Sequence, residues 1–188
     1  MSTTIAAKTA GFDVQTDEFL AVFPTEIGWM GITGNMGIVH SVSVGHPSAA
    51  SVRSAVHRSQ SEAGFDEIPA ETDWHPELRA ALQKYAQGIP VDFSRFKLQL
   101  PERTPFRDKV LAVTQRLKYG ETTTYGQLAR DVGHPGAARA VGTVMSTNRF
   151  PIIIPCHRVL AAGGKLGGYT SPAGTGLKQR LLKMEQSA

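Results

Sequence analysis

Between Phe19 and Gly45 the apolar and β-branched positions fall in short runs cut by Pro24, Gly28 and the cluster TGNMG. Runs of that kind, bounded by breakers, predict two or three antiparallel strands, with Gly34-Asn35 at the hairpin turn. The next stretch, HPSAASVRSAVHRSQ, reads as a helix with Pro47 near its first turn. SEAGFDEIPAETD is polar and loop-like. Asp73 stands where a cap is needed for a helix over WHPELRAALQKYAQG. There Leu78, Leu82 and Tyr85 follow i, i+4, i+7 spacing and Gly88 closes the end. IPVDFSRFKLQLPE reads as an extended connector.

Beyond the connector the period turns helical. Thr104 is a cap followed by Pro105 at the first helical position. Phe106, Val110, Val113 and Leu117 form one apolar face, which ends at Tyr119-Gly120. TTTYGQLARDVGHPGAARAVGTVMSTN then predicts two short helices, roughly 124–132 and 136–146, broken by VGHPG. Two helices joined by a short Gly-containing turn form a helix-turn-helix, whose second helix commonly enters a DNA groove. That second helix is built of small residues, with Arg139 its only long side chain. Either it packs tightly inside the protein or it lets a partner's backbone approach, with one cation reaching into the gap. The predicted architecture is therefore an α/β N-terminal domain over residues 11–95, a small antiparallel sheet plus helix. A mostly α-helical C-terminal domain with a helix-turn-helix follows over 96–188, and residues 1–10 form a flexible tail.

Composition changes this picture little: 41% hydrophobic and 19% charged residues are ordinary for a globular protein. The start, MSTTIAAKTAG, lacks the apolar core of a signal peptide, and no apolar run approaches a membrane span. Charge changes it more. Residues 1–93 carry 5 Lys+Arg against 11 Asp+Glu, whereas residues 94–188 carry 15 against 5. A basic half of that strength is what phosphate contacts with nucleic acid need.

The single cysteine, Cys156, lies in NRFPIIIPCHRVL. One thiol excludes an internal disulfide and any Cys-rich zinc site, and suits a reducing compartment such as the cytoplasm. It is either a buried small hydrophobe or a nucleophile. As a nucleophile it must reach the thiolate, which calls for a base, a cation or a helix N-terminus beside it. His157 adjoins it. In an extended segment neighbouring side chains point apart, so a turn or a bridging water must bring the two together. A base needs an orienting acceptor. Glu185 is the only carboxylate after Asp131.

Together, PCHRV (Pro155 to Val159), Asn148, TYGQLA (Thr124 to Ala129), ARAVG (Ala138 to Gly142), the GGY ending at Tyr169 and LLKME (Leu181 to Glu185) resemble the O6-alkylguanine-DNA alkyltransferases. These are also called methylated-DNA–protein-cysteine methyltransferases. The resemblance covers roughly residues 104–185 with the motifs in order. The first half matches only as architecture, a small ribonuclease H-like domain. The resemblance implies single-turnover transfer of an alkyl group from O6 of guanine to Cys156, with O4 of thymine an open second target. It implies His157 and Glu185 as a proton relay through a water. It implies Tyr125 as hydrogen-bond donor to a ring nitrogen of the leaving guanine, and Asn148 as a tie between the helix-turn-helix and the Cys segment. The Ile run would be a strand-like spacer. Arg139, with Ala138, Ala140, Gly142 and Thr124, would enter the minor groove of duplex DNA and take the place of the flipped base. Pro155, Val159, Tyr169 and Thr170 would line the pocket, with the sulfur accessible at its floor.

Two departures from the family pattern fall at the pocket rim. The tract YTSPAGTGL is longer than in the vertebrate pattern, and Thr170 stands where many members have Ser. Neither cofactor nor metal is implied, since His40, His46, His57 and His75 lack paired ligand spacing. The expected partner is double-stranded DNA carrying alkylated guanine, bound by a chain monomeric in solution, with cooperation between copies on DNA left open. Three other readings stay open: a lesion-binding protein without transfer, a helix-turn-helix regulator with an inert Cys156, and a cysteine hydrolase.

Overall fold

The computed structural model describes residues 18–64, 69–100 and 104–187. The predicted tail, residues 1–10, lies outside them.

Strands β1 (Phe19–Phe23), β2 (Trp29–Asn35) and β3 (Ile38–His46) form an antiparallel meander. Alternation decides what each side chain faces. Leu20 and Val22 of β1 cluster with Val52 and Val56 of helix α1 (Ala49–Glu62). Ala21 and Phe23 join the main core with Met30 and Ile32. The sheet is mixed rather than antiparallel throughout. β4 (Ala70–Glu71) adds in parallel to β1 and β5 (Lys97–Leu98) in parallel to β3, giving the order β4-β1-β2-β3-β5. Part of the loop-like tract and part of the connector are thus edge strands, too short for their pattern to register.

Other expectations shift by a few residues, each for a local reason. The hairpin turns at Met36-Gly37, because Asn35 already pairs with Ile38. Both turn residues have positive φ, 46° and 76°, as the commonest two-residue hairpin demands. α1 is capped by the Ser48 hydroxyl, with Pro47 just outside. Helix α2 (Pro76–Ala86) starts with Pro76 and has His75 at its cap position, without a side-chain cap bond. Asp73 instead receives a two-pronged hydrogen bond from Arg79, at 2.9 and 2.8 Å. Leu78, Leu82 and Tyr85 are buried, as the spacing predicts.

Helix α3 (Pro105–Gln115) begins as expected, the Thr104 hydroxyl accepting from Arg107 N–H at 3.2 Å. It stops before Tyr119-Gly120, which lies in the following turn. Helices α4 (Tyr125–Asp131) and α5 (Ala138–Ser146) pack on each other and on α3. Helix α6 (Gly174–Gln186) closes the chain. One apolar cluster runs from Phe23 through Tyr85 to Val110, Ile154 and Leu181, so the core spans both halves. The Val42 N–H also donates to Arg149 O at 2.8 Å, pinning the sheet to the loop before Cys156.

Candidate active site

Two short parallel strands, β6 (Thr123–Thr124) and β7 (Val159–Leu160), tie the start of α4 to the chain just after the cysteine. Thr124 spends its hydroxyl as the cap of α4, accepting from Gln127 N–H at 3.1 Å. Tyr125, the next residue, is half-buried, and its phenol is pushed up by burial and by its closeness to Cys156. A β-carbon at Gly167 would sit 3.1 Å from the Tyr125 ring, and Gly167 has φ +67°; the glycine lets this loop lie on the ring.

The tract before Cys156 is no strand. Pro151–Ile154 folds as a compact turn, with Ile154 N–H donating to Phe150 O at 2.8 Å. Asn148 builds that turn from inside: its amide donates to Ile154 O at 2.9 Å and accepts from Phe150 N–H at 3.0 Å. A primary amide suits the task because it offers both donor and acceptor. Ile152 takes φ +74°, costly for a β-branched residue, and is held there by burial. Asn148 thereby links the end of α5 to the cysteine segment.

Cys156 opens a single 3₁₀ turn, Cys156–Arg158, in which successive side chains are turned by about a third of a circle rather than pointing to opposite sides as in a strand. Its sulfur is less open than expected. The residue is 7% exposed, and burial pushes the thiol up. Opposing that are a hydrogen bond from the Asn148 side chain, the positive charge of Lys178, and the N–H groups of Cys156 and His157. The resting sulfur is a protonated thiol.

His157 is wholly buried, and burial holds it neutral despite Glu185. Its Nε2 lies 2.9 Å from Glu185 Oε1 and 3.2 Å from the Tyr85 hydroxyl. Its Nδ1 is buried and has no hydrogen-bond partner among the described residues. Glu185 accepts from five donors: His157, Tyr85 at 2.5 Å, Gly120 N–H at 3.1 Å, and Arg158 twice, at 2.8 and 2.7 Å. Burial alone would raise its carboxyl; the hydrogen bonds from His157 and Arg158 win and hold it well below the usual carboxylate range. The structure thus brings Cys156, His157, Glu185, Asn148 and Tyr125 together.

The pocket residues are more mixed. Pro155 and Val159 are buried. The Val159 carbonyl accepts from the buried Lys178 ammonium at 2.7 Å. The Tyr169 hydroxyl is buried without a hydrogen-bond partner among the described residues, close enough to Cys156 and Glu185 to feel their charge. Thr170 is exposed, and its hydroxyl donates to Ser146 O at 3.1 Å, joining the rim to α5. On α5, Arg139 and Ala140 are exposed, Ala138 and Gly142 partly so. The Arg139 guanidinium makes no hydrogen bond or ion pair among the described residues. No group of three or more His, Cys, Asp or Glu side chains that could hold a metal occurs among them either.

Sequence reasoning missed Tyr85, Arg158 and Lys178. Tyr85 carried a signal only as a core position of α2. Lys178 carried one in its place on the buried face of α6, where a charge has to find a partner.

Comparison with known proteins agrees with this geometry. Residues 105–187 match the sequence model of the DNA binding domain of 6-O-methylguanine DNA methyltransferase. The methylated-DNA–protein-cysteine methyltransferase of Methanosarcina acetivorans is 43% identical over 112 residues, 59% of this chain and 69% of that protein. The protein of the same name from Mycobacterium tuberculosis is 40% identical over 123 residues, covering 63% and 73%. Among solved structures, the M. tuberculosis O6-methylguanine methyltransferase superposes with a TM-score of 0.74 at 29% identity, covering 90% of this chain and 93% of that one. An M. tuberculosis OGT in complex with DNA gives 0.70 at the same identity and coverage. With its lone buried thiol, its His–Glu pair and this kinship over most of its length, the chain belongs to the methylated-DNA–protein-cysteine methyltransferase family.

Proposed function

We propose that the protein repairs DNA by moving an alkyl group from O6 of guanine onto Cys156, once and irreversibly. The observation that carries this reading is the arrangement at His157. Nε2 is committed to Glu185, and Nδ1 is buried, unpartnered and next in the chain to the only thiol. A neutral imidazole so oriented is a general base awaiting a proton. In the reaction the thiol proton passes through a water to Nδ1. The sulfur then attacks the alkyl carbon, an S–C bond forms, and the C–O bond breaks with its electron pair left on guanine. The Tyr125 hydroxyl, kept protonated by burial, donates to a ring nitrogen of that leaving group. Guanine takes up one proton as it leaves and His157 gives up the one it received, so guanine departs neutral and a thioether remains on Cys156.

The chemistry requires the base outside the stack. α4 and α5 act as a helix-turn-helix in the minor groove, with Arg139 filling the space that the flipped base leaves. Arg139 suits the role because it is exposed and uncommitted on a helix of small residues. Pro155, Val159, Tyr169 and Thr170 form the pocket. The chain works as an N-terminal unit, 11–95, of ribonuclease H-like topology, and a DNA-binding, alkyl-accepting unit, 96–188. It acts as a monomer in the reducing cytoplasm, where one thiol stays free.

Intact-protein mass after incubation with duplex DNA containing O6-methylguanine tests the reading. The expected result is a gain of one CH₂ on the peptide holding Cys156, at one equivalent per chain. Repeated turnover with an unmodified chain sinks it.

A further inference from the structure

The Tyr85 hydroxyl reaches the catalytic hydrogen bonds from outside the half that carries them. Tyr85 lies on α2, before the residues matched by the family's DNA binding domain, and is 1% exposed. Edge contacts with Phe93 and Tyr119, both at 6.0 Å between ring centres, fix its ring. Its hydroxyl donates to Glu185 Oε1 at 2.5 Å and lies 3.2 Å from His157 Nε2.

The directions of these bonds follow from chemistry. Glu185 is ionised and can only accept. The phenol is held protonated, because burial and then the Glu185 charge push its ionisation far up. Its one proton therefore points at Oε1. What it offers His157 is a lone pair. His157 Nε2 thus faces two acceptors, a carboxylate and a phenol oxygen, and must carry the ring proton itself.

We infer that Tyr85 is a positioning residue for alkyl transfer: with Glu185 it holds His157 in the Nε2–H form, ring fixed, so that Nδ1 stays a bare acceptor for the Cys156 proton. This rests on the function proposed above. The other charged or titratable groups near His157 do not supply the same constraint. Arg158 and Lys178 are cations that oppose protonation of the ring. Tyr119 donates elsewhere, to Gly88 O at 2.9 Å. The Tyr169 hydroxyl has no partner among the described residues.

The test pairs two measurements on the full chain. In the wild type, ¹⁵N shifts of the His157 ring at neutral pH report its tautomer; the Nε2–H form is expected. In Tyr85→Phe, single-turnover transfer from methylated duplex should have a limiting rate about tenfold lower, the worth of one hydrogen bond to the relay, with the DNA dissociation constant unchanged. A wild-type ring protonated at Nδ1 overturns the inference, and so does a variant within twofold of the wild-type limiting rate. Should the variant fail to fold, the wild-type spectrum still decides. Should the wild type transfer nothing, the proposed function fails, while the tautomer still tests what Tyr85 does.

Discussion

The Lys178 ammonium, without exposed surface, donates to the Val159 carbonyl three residues beyond Cys156, at 2.7 Å. It also stands 5.9 Å from the centre of the Tyr125 ring. A buried ammonium needs such partners, and burial lowers its own ionisation while its charge favours the thiolate of Cys156.

Lys178→Met therefore removes a cation that opposes the burial of the sulfur. The thiol should ionise at a higher pH, read as a shift in the pH dependence of Cys156 alkylation by iodoacetamide. Stability should fall by about 1–3 kcal/mol, since Val159 O loses its donor. An unshifted alkylation profile would show that the charge does not reach the sulfur.

Cys156→Ser should abolish transfer and leave DNA binding largely intact, because the sulfur is buried and contributes nothing to the basic surface. Gel-shift and methyl-release assays on one preparation check both halves. Release of labelled methyl by the Ser variant would contradict the mechanism.

Arg139→Ala should slow repair in duplex DNA far more than reaction with free benzylated guanine. The free base needs no extrusion, so equal losses on the two substrates would remove Arg139 from base flipping. Binding of the wild type should also weaken steeply with salt, as phosphate contacts require.

Acid should lower the stability of the chain over two pH windows, and the sign follows from the shifts. His157 is buried neutral, so the unfolded chain binds its proton first and stability falls as pH drops below about 6.5. Glu185 is held below its unfolded value, so its contribution is complete above about pH 4.3 and fades as pH falls further. Urea midpoints from pH 7 to pH 3 test this; equal midpoints at pH 7 and 5 would mean that His157 is not buried neutral. Arg158→Met, which strips two donors from Glu185, should cost about 3–5 kcal/mol at pH 7.

What could be read from the chain depended on the range of the interaction. The start of α3 was legible because Thr104-Pro105 is a local signal, complete within three residues. The meander was legible because its apolar runs are short and cut by Pro24, Gly28 and the TGNMG cluster, all of them local signals. Its turn was misplaced by two residues, since Gly34 and Gly37 compete and only cross-strand register chooses between them. Asp73 was misread as a cap because nothing local told of Arg79's fork. The site divides likewise. PCHRV marked Cys156 and His157, and Glu185 stood out by elimination of other carboxylates. Tyr85 is 100 residues from Glu185, and no pattern on α2 separates a buried phenol that donates from one that only packs. The Ile tract looked like a strand by composition; the amide of Asn148, a single side chain, bends it into a turn.

The closed seat of Cys156 bears on how long the protein keeps its capacity to act. Peroxide and stray electrophiles react with thiolates that solvent can reach. A molecule that works once has one sulfur to lose, and oxidation would retire it as surely as repair does. Stored protonated and out of water, that sulfur should age slowly between synthesis and the arrival of damage, so the shelter that delays its ionisation also preserves its readiness.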